Sequence, residues 1–259
     1  SVYFTLNYFL IFKTMKINEA LIVVDYQNGF IPEYVSRVNE LPVEWGELLA
    51  PIINELMRET RVKWWLVIAT RDWHPRGHMS LARNYIWKNP FDTITYNEVT
   101  NAKEHTTRLW EEAEFSLEDL QIELWSSMWP QVLWPDHCIA DTPWAEYFQW
   151  LDTELIDHHI IKWDDPKTEM NSGFFWREMR QDNKIIRLVD ILRDAGIEAV
   201  KVVWLATDFC VRATAIDAVK NWFKTIIESK AIAWVMIKSP EDTVKYLQKL
   251  REETWVEYV

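Results

Sequence analysis

Five short apolar runs, at 20–25, 65–70, 157–162, 200–206 and 224–228, alternate along this chain with stretches whose apolar residues recur every three to four positions. Those periodic stretches lie near 47–60, 184–195, 209–221 and 239–253. The runs are short and rich in valine and isoleucine, so they predict strands covered on both faces, and the periodic stretches predict the helices that cover them. Right-handed crossovers then wind the chain into an α/β fold, a doubly wound, mostly parallel sheet with helices on both faces. Residues 15–259 are expected to form a single domain, and 49% hydrophobic residues suffice for its core. One segment breaks the alternation. Residues 98–129 contain the acidic amphipathic stretch EEAEFSLEDLQIEL and predict an insertion that leaves the core, as a lid, a partner surface or a loop. Residues 1–14, SVYFTLNYFLIFKT, are apolar but too short to span a bilayer, and they lack the basic start and cleavage site of a secretory signal. They are read as an upstream or disordered segment outside the domain.

Chemistry collects where the predicted strands end. ALIVVD ends on Asp25, HHIIK ends on Lys162, and TDFC after the fourth run sets Cys210 in the first turn of a helix that Thr207 and Asp208 can cap. Unpaired N–H groups and the helix dipole favour thiolate over thiol there, so a lowered Cys210 pKa is expected. Ligands bind at this edge of open parallel sheets. A carboxylate, an ammonium and a thiol gathered there can supply a base, a charge stabiliser and a nucleophile. The plainer readings are a turn cap at Asp25, a solvated Lys162, and a Cys210 that is only a small buried hydrophobe. What points to catalysis is the coincidence of three such groups at one edge.

A second set follows the run at 65–70. Asp72 and His74, two apart in RDWHP, project from one face of an extended chain, and His137 arrives later in WPDHC. Two imidazoles and one carboxylate suit one divalent metal ion, zinc first and iron or manganese next, with positions left open for water or substrate. His78 stands either as a further ligand or as a partner that orients one of the three.

The segments ALIVVDYQNGF, ATRDWHPRGHMS, LWPDHCIADTP, IIKWDDPKTEMNSGF and LATDFCVRATAIDA, in this order, resemble the nicotinamidase (pyrazinamidase) branch of the isochorismatase-like cysteine hydrolases. The resemblance implies catalytic roles for Asp25, Lys162 and Cys210, and metal ligation by Asp72, His74 and His137. It also implies a cis peptide before Ala206, an oxyanion hole from the N–H groups of Ala206 and Cys210, and a pyridine ring flanked by Phe30 and Trp134. The implied reaction is hydrolysis of nicotinamide to nicotinate and ammonia through a cysteine thioester, a step of NAD salvage, with the metal ion orienting the ring. Two alternatives stand beside it: a related amidohydrolase acting on a carbamoyl or ureido substrate, with no need of the metal trio, and a non-catalytic binding protein on the same fold. Gly29 departs from the family, which often has Asp there, and 98–129 has no counterpart in the family pattern.

A net charge of −12 argues against nucleic acid and anionic membranes as partners, which leaves a small molecule, with a homo-oligomer left open. Two cysteines without a disulfide framework indicate a reducing cytoplasm. The chain also has 17 tryptophans and only 5 glycines, where ordinary usage of about 7% predicts roughly 18 glycines. Trp144, Trp163, Trp204, Trp222 and Trp255 stand where glycine makes physical sense, and Trp222 falls where a helix needs a left-handed terminator. The expected explanation is a gene whose UGA codons are read as tryptophan although its own cell reads them as glycine; the competing reading, an aromatic-rich protein that stacks its tryptophans on a carbohydrate or nucleic acid, is disfavoured because they do not cluster on one face. Trp73 and Trp134, in motifs that use tryptophan, are expected to be genuine. Indoles at 163 and 204 are expected to crowd the lysine and the oxyanion loop.

Overall fold

The computed structural model describes residues 18–32, 41–100, 108–127, 130–174, 177–179, 185–236 and 239–259. Residues 1–14 and part of 98–129 lie outside the described residues. The chain opens with β1 (Glu19–Val24), α1 (Ala50–Val62) and β2 (Leu66–Asp72). It then makes an excursion through β3 (Tyr85–Ile86), β4 (Thr93–Ile94), α2 (Tyr96–Thr100), β5 (Arg108–Leu109), α3 (Leu117–Ser127) and β6 (Gln131–Val132). It returns through β7 (His158–Lys162), β8 (Arg177–Met179), β9 (Ile185–Arg187), α4 (Leu188–Asp194) and β10 (Ala199–Trp204). Last come α5 (Cys210–Lys220), β11 (Lys224–Ile232), α6 (Pro240–Thr254) and β12 (Glu257–Tyr258).

Eight strands form one sheet in the order β12-β11-β10-β1-β2-β7-β8-β9, parallel from β12 to β7 and antiparallel at β8 and β9. The expected doubly wound, mostly parallel sheet is therefore present. Alternate residues of β1 explain why both faces are covered: Leu21 and Val23 join α1 in one core, while Ala20, Ile22 and Val24 join α4, α5 and α6 in the other. Each fully buried Ile or Val contributes roughly 1.5–3 kcal/mol. Proline in the first turn starts both α1 and α6, and Ser239 caps α6 by accepting the Asp242 N–H at 3.1 Å. The chain passes from β1 to β2 on one side, and β10 pairs with β1 on the other. The crevice at such a reversal is where parallel sheets bind ligands.

The excursion is a packed annex. Its Val99, Phe115, Leu120 and Leu124 bury against Met79, Ala82 and Tyr85, which follow β2. Two antiparallel pairs, β3 with β5 and β4 with β6, tie it down. The Gly77 N–H donates to Glu114 Oε1 at 3.2 Å, so the annex braces the loop after β2.

The tryptophans follow an unusual backbone rule. Among the described residues eleven non-glycine residues have positive φ, and seven of them are tryptophan: Trp45, Trp64, Trp87, Trp163, Trp204, Trp222 and Trp255, at φ 62–81°. Three of these end helices. Trp64, Trp222 and Trp255 follow α1, α5 and α6, just as Gly196, at φ 64°, follows α4. Trp144 does not join them; it lies in a 3-10 turn after Pro143 and is absent from the left-handed set. A left-handed residue with a Cβ costs roughly 1–2 kcal/mol, so seven approach the whole stability margin of a domain, about 5–15 kcal/mol. Trp222→Gly is expected to raise stability by about 1 kcal/mol. Trp222→Ala should gain less, because it removes the indole but keeps the Cβ. Urea midpoints of the two variants check both.

Candidate active site

Strand register alone brings the first two groups together. Asp72 pairs with Lys162 across β2 and β7, and Asp25 follows β1 in a left-handed conformation, φ 59°. The Lys162 ammonium lies 2.7 Å from Asp25 Oδ2 and 2.9 Å from Asp72 Oδ1, with no solvent exposure. Thr70 Oγ1 donates to Asp25 Oδ1 at 2.5 Å, and the Lys162 ammonium also reaches the Asn171 carbonyl at 3.4 Å. Burial works against the Lys162 charge, but the two carboxylates outweigh it and hold its pKa well above that of an ordinary lysine. Two carboxylates share one ammonium in a dry site, and Asp25 shows the consequence. Burial, joined by the charge of Asp72, pushes its carboxyl up to about 7 against the pull of Lys162.

Cys210 opens α5 and stands beside this pair. Its Sγ and carboxylate oxygens of Asp25 and Asp72 all lie within 4.8 Å of one another. That trio surrounds the lysine cation, so it is not a metal site. The lowered thiol pKa expected from the helix terminus is not found: burial pushes the Cys210 thiol well up, with Lys162 pulling against it and the two carboxylates reinforcing it. Dry surroundings and nearby negative charge outweigh the helix end, so the resting group is a thiol that needs a base. Thr207 and Asp208 do not cap α5 either. Thr207 Oγ1 donates to the Ala233 carbonyl at 2.8 Å, and Asp208 accepts from the Val235 and Met236 N–H groups, which ties the loop before Cys210 to the end of β11. The Leu205–Ala206 peptide in that loop is cis, as the resemblance implied.

Asp72, His74 and His137 form a second buried cluster, with one ligand atom from each inside a 4.8 Å circle. The rings of His74 and His137 are 4.5 Å apart, and His137 Nε2 is 4.0 Å from Asp72 Oδ2. His137 Nδ1 lies 2.8 Å from the Pro135 carbonyl, which places its proton there and leaves Nε2 facing the cluster with its lone pair. Burial lowers the pKa of both His74 and His137, so both are in the neutral form that a metal requires. Among the described residues, neither ring nitrogen of the fully buried His74 has a hydrogen-bond partner. An imidazole in that condition fits a cation better than an empty core. His78 lies outside that 4.8 Å group but beside it: Ser80 N–H donates to its Nδ1 at 3.1 Å, and its ring packs edge-on to His74 at 5.2 Å.

Both clusters open into one pocket, walled by Phe30, Trp134 and Phe209 and floored by Ala206 and Cys210. Phe30 lies 5.6 Å from the His137 ring, and Trp134 meets Phe209 edge-on at 4.8 Å. No described residue of 98–129 lines the pocket. The pocket also holds the Trp163 indole, and only about 30 Å³ is left. That is room for about two waters, against roughly 300–1,000 Å³ in usual small-molecule sites. Crowding at 163 is therefore as expected. Trp204 is accommodated instead: its Nε1 donates to the Asp25 carbonyl at 3.1 Å, and its ring fills the space beside Gly46, where an added Cβ would come within 2.6 Å of it.

The isochorismatase domain family matches residues 19–252. The chain belongs to the isochorismatase family. Its relatives there include the nicotinamidase of Acinetobacter baylyi, 34% identical over 218 residues, which cover 83% of this chain and 82% of the relative. Among solved structures, an Acinetobacter baumanii nicotinamidase superposes with a TM-score of 0.68 at 31% identity, covering 95% of this chain and 97% of that one. The pyrazinamidase of Pyrococcus horikoshii, solved in complex with zinc, has a TM-score of 0.61 at 28% identity, with 93% and 98% covered.

Two residues of this isochorismatase site escaped the sequence reading. Asn171 Oδ1 lies 3.9 Å from Cys210 Sγ, and its Nδ2 donates to Glu169 Oε1 at 3.0 Å. Gln27, fully buried, donates through Nε2 to the Asp72 and Ala145 carbonyls at 2.8 Å each, and accepts the Asp72 N–H at 2.8 Å. Gln27 stands two residues past Asp25 in ALIVVDYQNGF, but only tertiary structure decides what it bonds. Lys162→Met removes the cation between two buried carboxylates and is expected to destabilise the fold by about 3–5 kcal/mol. Adding Asp25→Asn to that variant should restore part of the loss, as chemical denaturation of both will show.

Proposed function

We propose that the chain hydrolyses nicotinamide to nicotinate and ammonia, returning the pyridine ring toward NAD. The observation that carries this reading is the aromatic-walled pocket lined together by Cys210, Asp25, Asp72 and His137, with Lys162 bonded to the two carboxylates and His74 grouped with Asp72 and His137. The nicotinamidases among its relatives support the same substrate. Asp72, His74 and His137 would hold one divalent ion, and the two imidazole nitrogens, together with the zinc complex of the Pyrococcus horikoshii neighbour, favour zinc. Bound there, the ion would supply a Lewis-acid anchor for the pyridine nitrogen.

The residues of the chain then divide the work. Asp25, as carboxylate, takes the Cys210 thiol proton while sulfur bonds to the carboxamide carbon, and the N–H groups of Ala206 and Cys210 receive the developing oxyanion. The intermediate collapses with cleavage of the C–N bond, and Asp25 returns the proton so that ammonia leaves. Water attacks the thioester and gives one proton to Asp25, sulfur recovers that proton as the C–S bond breaks, and the nicotinic acid released ionises to nicotinate with its proton passing to solvent or ammonia. Lys162 keeps Asp25 in place and offsets negative charge throughout. Phe30 and Trp134 flank the ring. A small molecule is thus the partner, and an enzyme that works through a thiol suits a reducing cytoplasm. Among the described residues no helix is long and apolar enough to cross a membrane.

The test is ammonia release from nicotinamide by zinc-loaded protein carrying Trp163→Gly, so that the pocket is clear. Turnover is expected, and Cys210→Ala in the same background should lower it by at least about 10³-fold with the fold intact by circular dichroism. His74→Ala should lose both bound zinc and turnover. Activity on a carbamoyl substrate that survives His74→Ala would overturn the reading in favour of the related amidohydrolases.

A further inference from the structure

We infer that residue 163 decides whether the site admits its ligands, and that glycine occupies it, along with the six other left-handed tryptophan positions, in the form of the protein that works in its own cell. The first observation is at the helix ends. α1, α5 and α6 stop at Trp64, Trp222 and Trp255 in the conformation that Gly196 adopts after α4. Those three indoles are 84–93% exposed. Burial therefore does not favour an indole at these places, while backbone geometry favours the absence of any Cβ. Trp45 and Trp87 repeat the pattern in turns, with φ 65° and 69° and exposures of 70% and 86%. Trp73 and Trp134, by contrast, are absent from the left-handed set, and Trp134 forms a pocket wall.

Position 163 shares the backbone state, φ 66°, but lies inside the site. Its indole is 2% exposed, 4.8 Å from the His74 ring and 5.2 Å from the His78 ring, and its buried Nε1 has no hydrogen-bond partner. A large group with an unsatisfied N–H thus packs against a histidine whose own ring nitrogens are unsatisfied, in a pocket reduced to about 30 Å³. Without the indole, the volume beside His74 opens to the pocket, and water or a ligand ring can reach the Asp72–His74–His137 cluster. A codon read as tryptophan by the standard code and as glycine by the source cell accounts for all seven positions at once.

Two chains test this: one with glycine at the six other positions and Trp163 kept, and one with glycine at all seven. Zinc affinity is read by competition with a chelating dye, and nicotinate binding to the zinc form by calorimetry. The choice of nicotinate rests on the proposed reaction. The seven-glycine chain is expected to bind zinc and nicotinate about 10- to 100-fold more tightly, the range that changes around metal ligands produce. Equal affinities in the two chains would overturn the role of residue 163. Tighter zinc binding without nicotinate binding or ammonia release would keep that role and remove the proposed reaction instead. If the six-glycine chain does not fold, Trp163→Gly against the unaltered sequence gives the same comparison. In the gene, TGA is expected at all seven positions with TGG at 73 and 134, and TGG at the seven would overturn the glycine assignment.

Discussion

An ammonium group shut away from water persists only where negative charge surrounds it, and the site is organised around that requirement at Lys162. Its two carboxylates come from the ends of β1 and β2, its own strand is β7, and the sulfur stands beside them after β10. Four neighbouring parallel strands thus end on one charge cluster. The in-register pairing of Asp72 with Lys162 gives the lysine no other place to put its charge. Asp25 turns into a left-handed conformation to complete the pair, and Thr70 orients its second oxygen. Because Asp72 serves both the lysine and the histidine cluster, the two halves of the site share a residue and are electrostatically linked.

The strands were legible because a parallel sheet buried on both faces leaves an apolar run with a sharp end, and Asp25 and Lys162 mark two of those ends. The short strands β8, β9 and β12 left no such run. The trio Asp72, His74 and His137 was legible through the family motifs, and the structure brings its members together. What depends on tertiary surroundings was misread or missed. The helix position of Cys210 points to a lowered thiol pKa, but the groups that surround the sulfur come from strands far away in sequence. Thr207 and Asp208 have capping chemistry, yet their partners lie 26 to 28 residues further on. Asn171 carries no local signature at all, since its place beside the sulfur depends on the path of the chain after β7.

The tryptophans separate two kinds of signal. Trp222 could be recognised because it follows a periodic stretch, where a terminator is due. Trp45 and Trp87 could not, since a left-handed turn has little signature once glycine is missing from it. Trp144 resembles a glycine position only by its neighbours: after proline the chain enters a 3-10 turn that any residue accepts.

Gln27 has a consequence of a different kind. Its amide is bonded at both ends to main chain, once to Ala145 and twice to Asp72, and it sits two residues past Asp25. The segment bearing the acid and the segment bearing the histidine cluster therefore shift together, and the gap between them behaves as a ruler. On the proposed reading, the acid that moves the thiol proton and the cluster that anchors the ring therefore stay in step. That coordination falls to a glutamine outside the pocket lining.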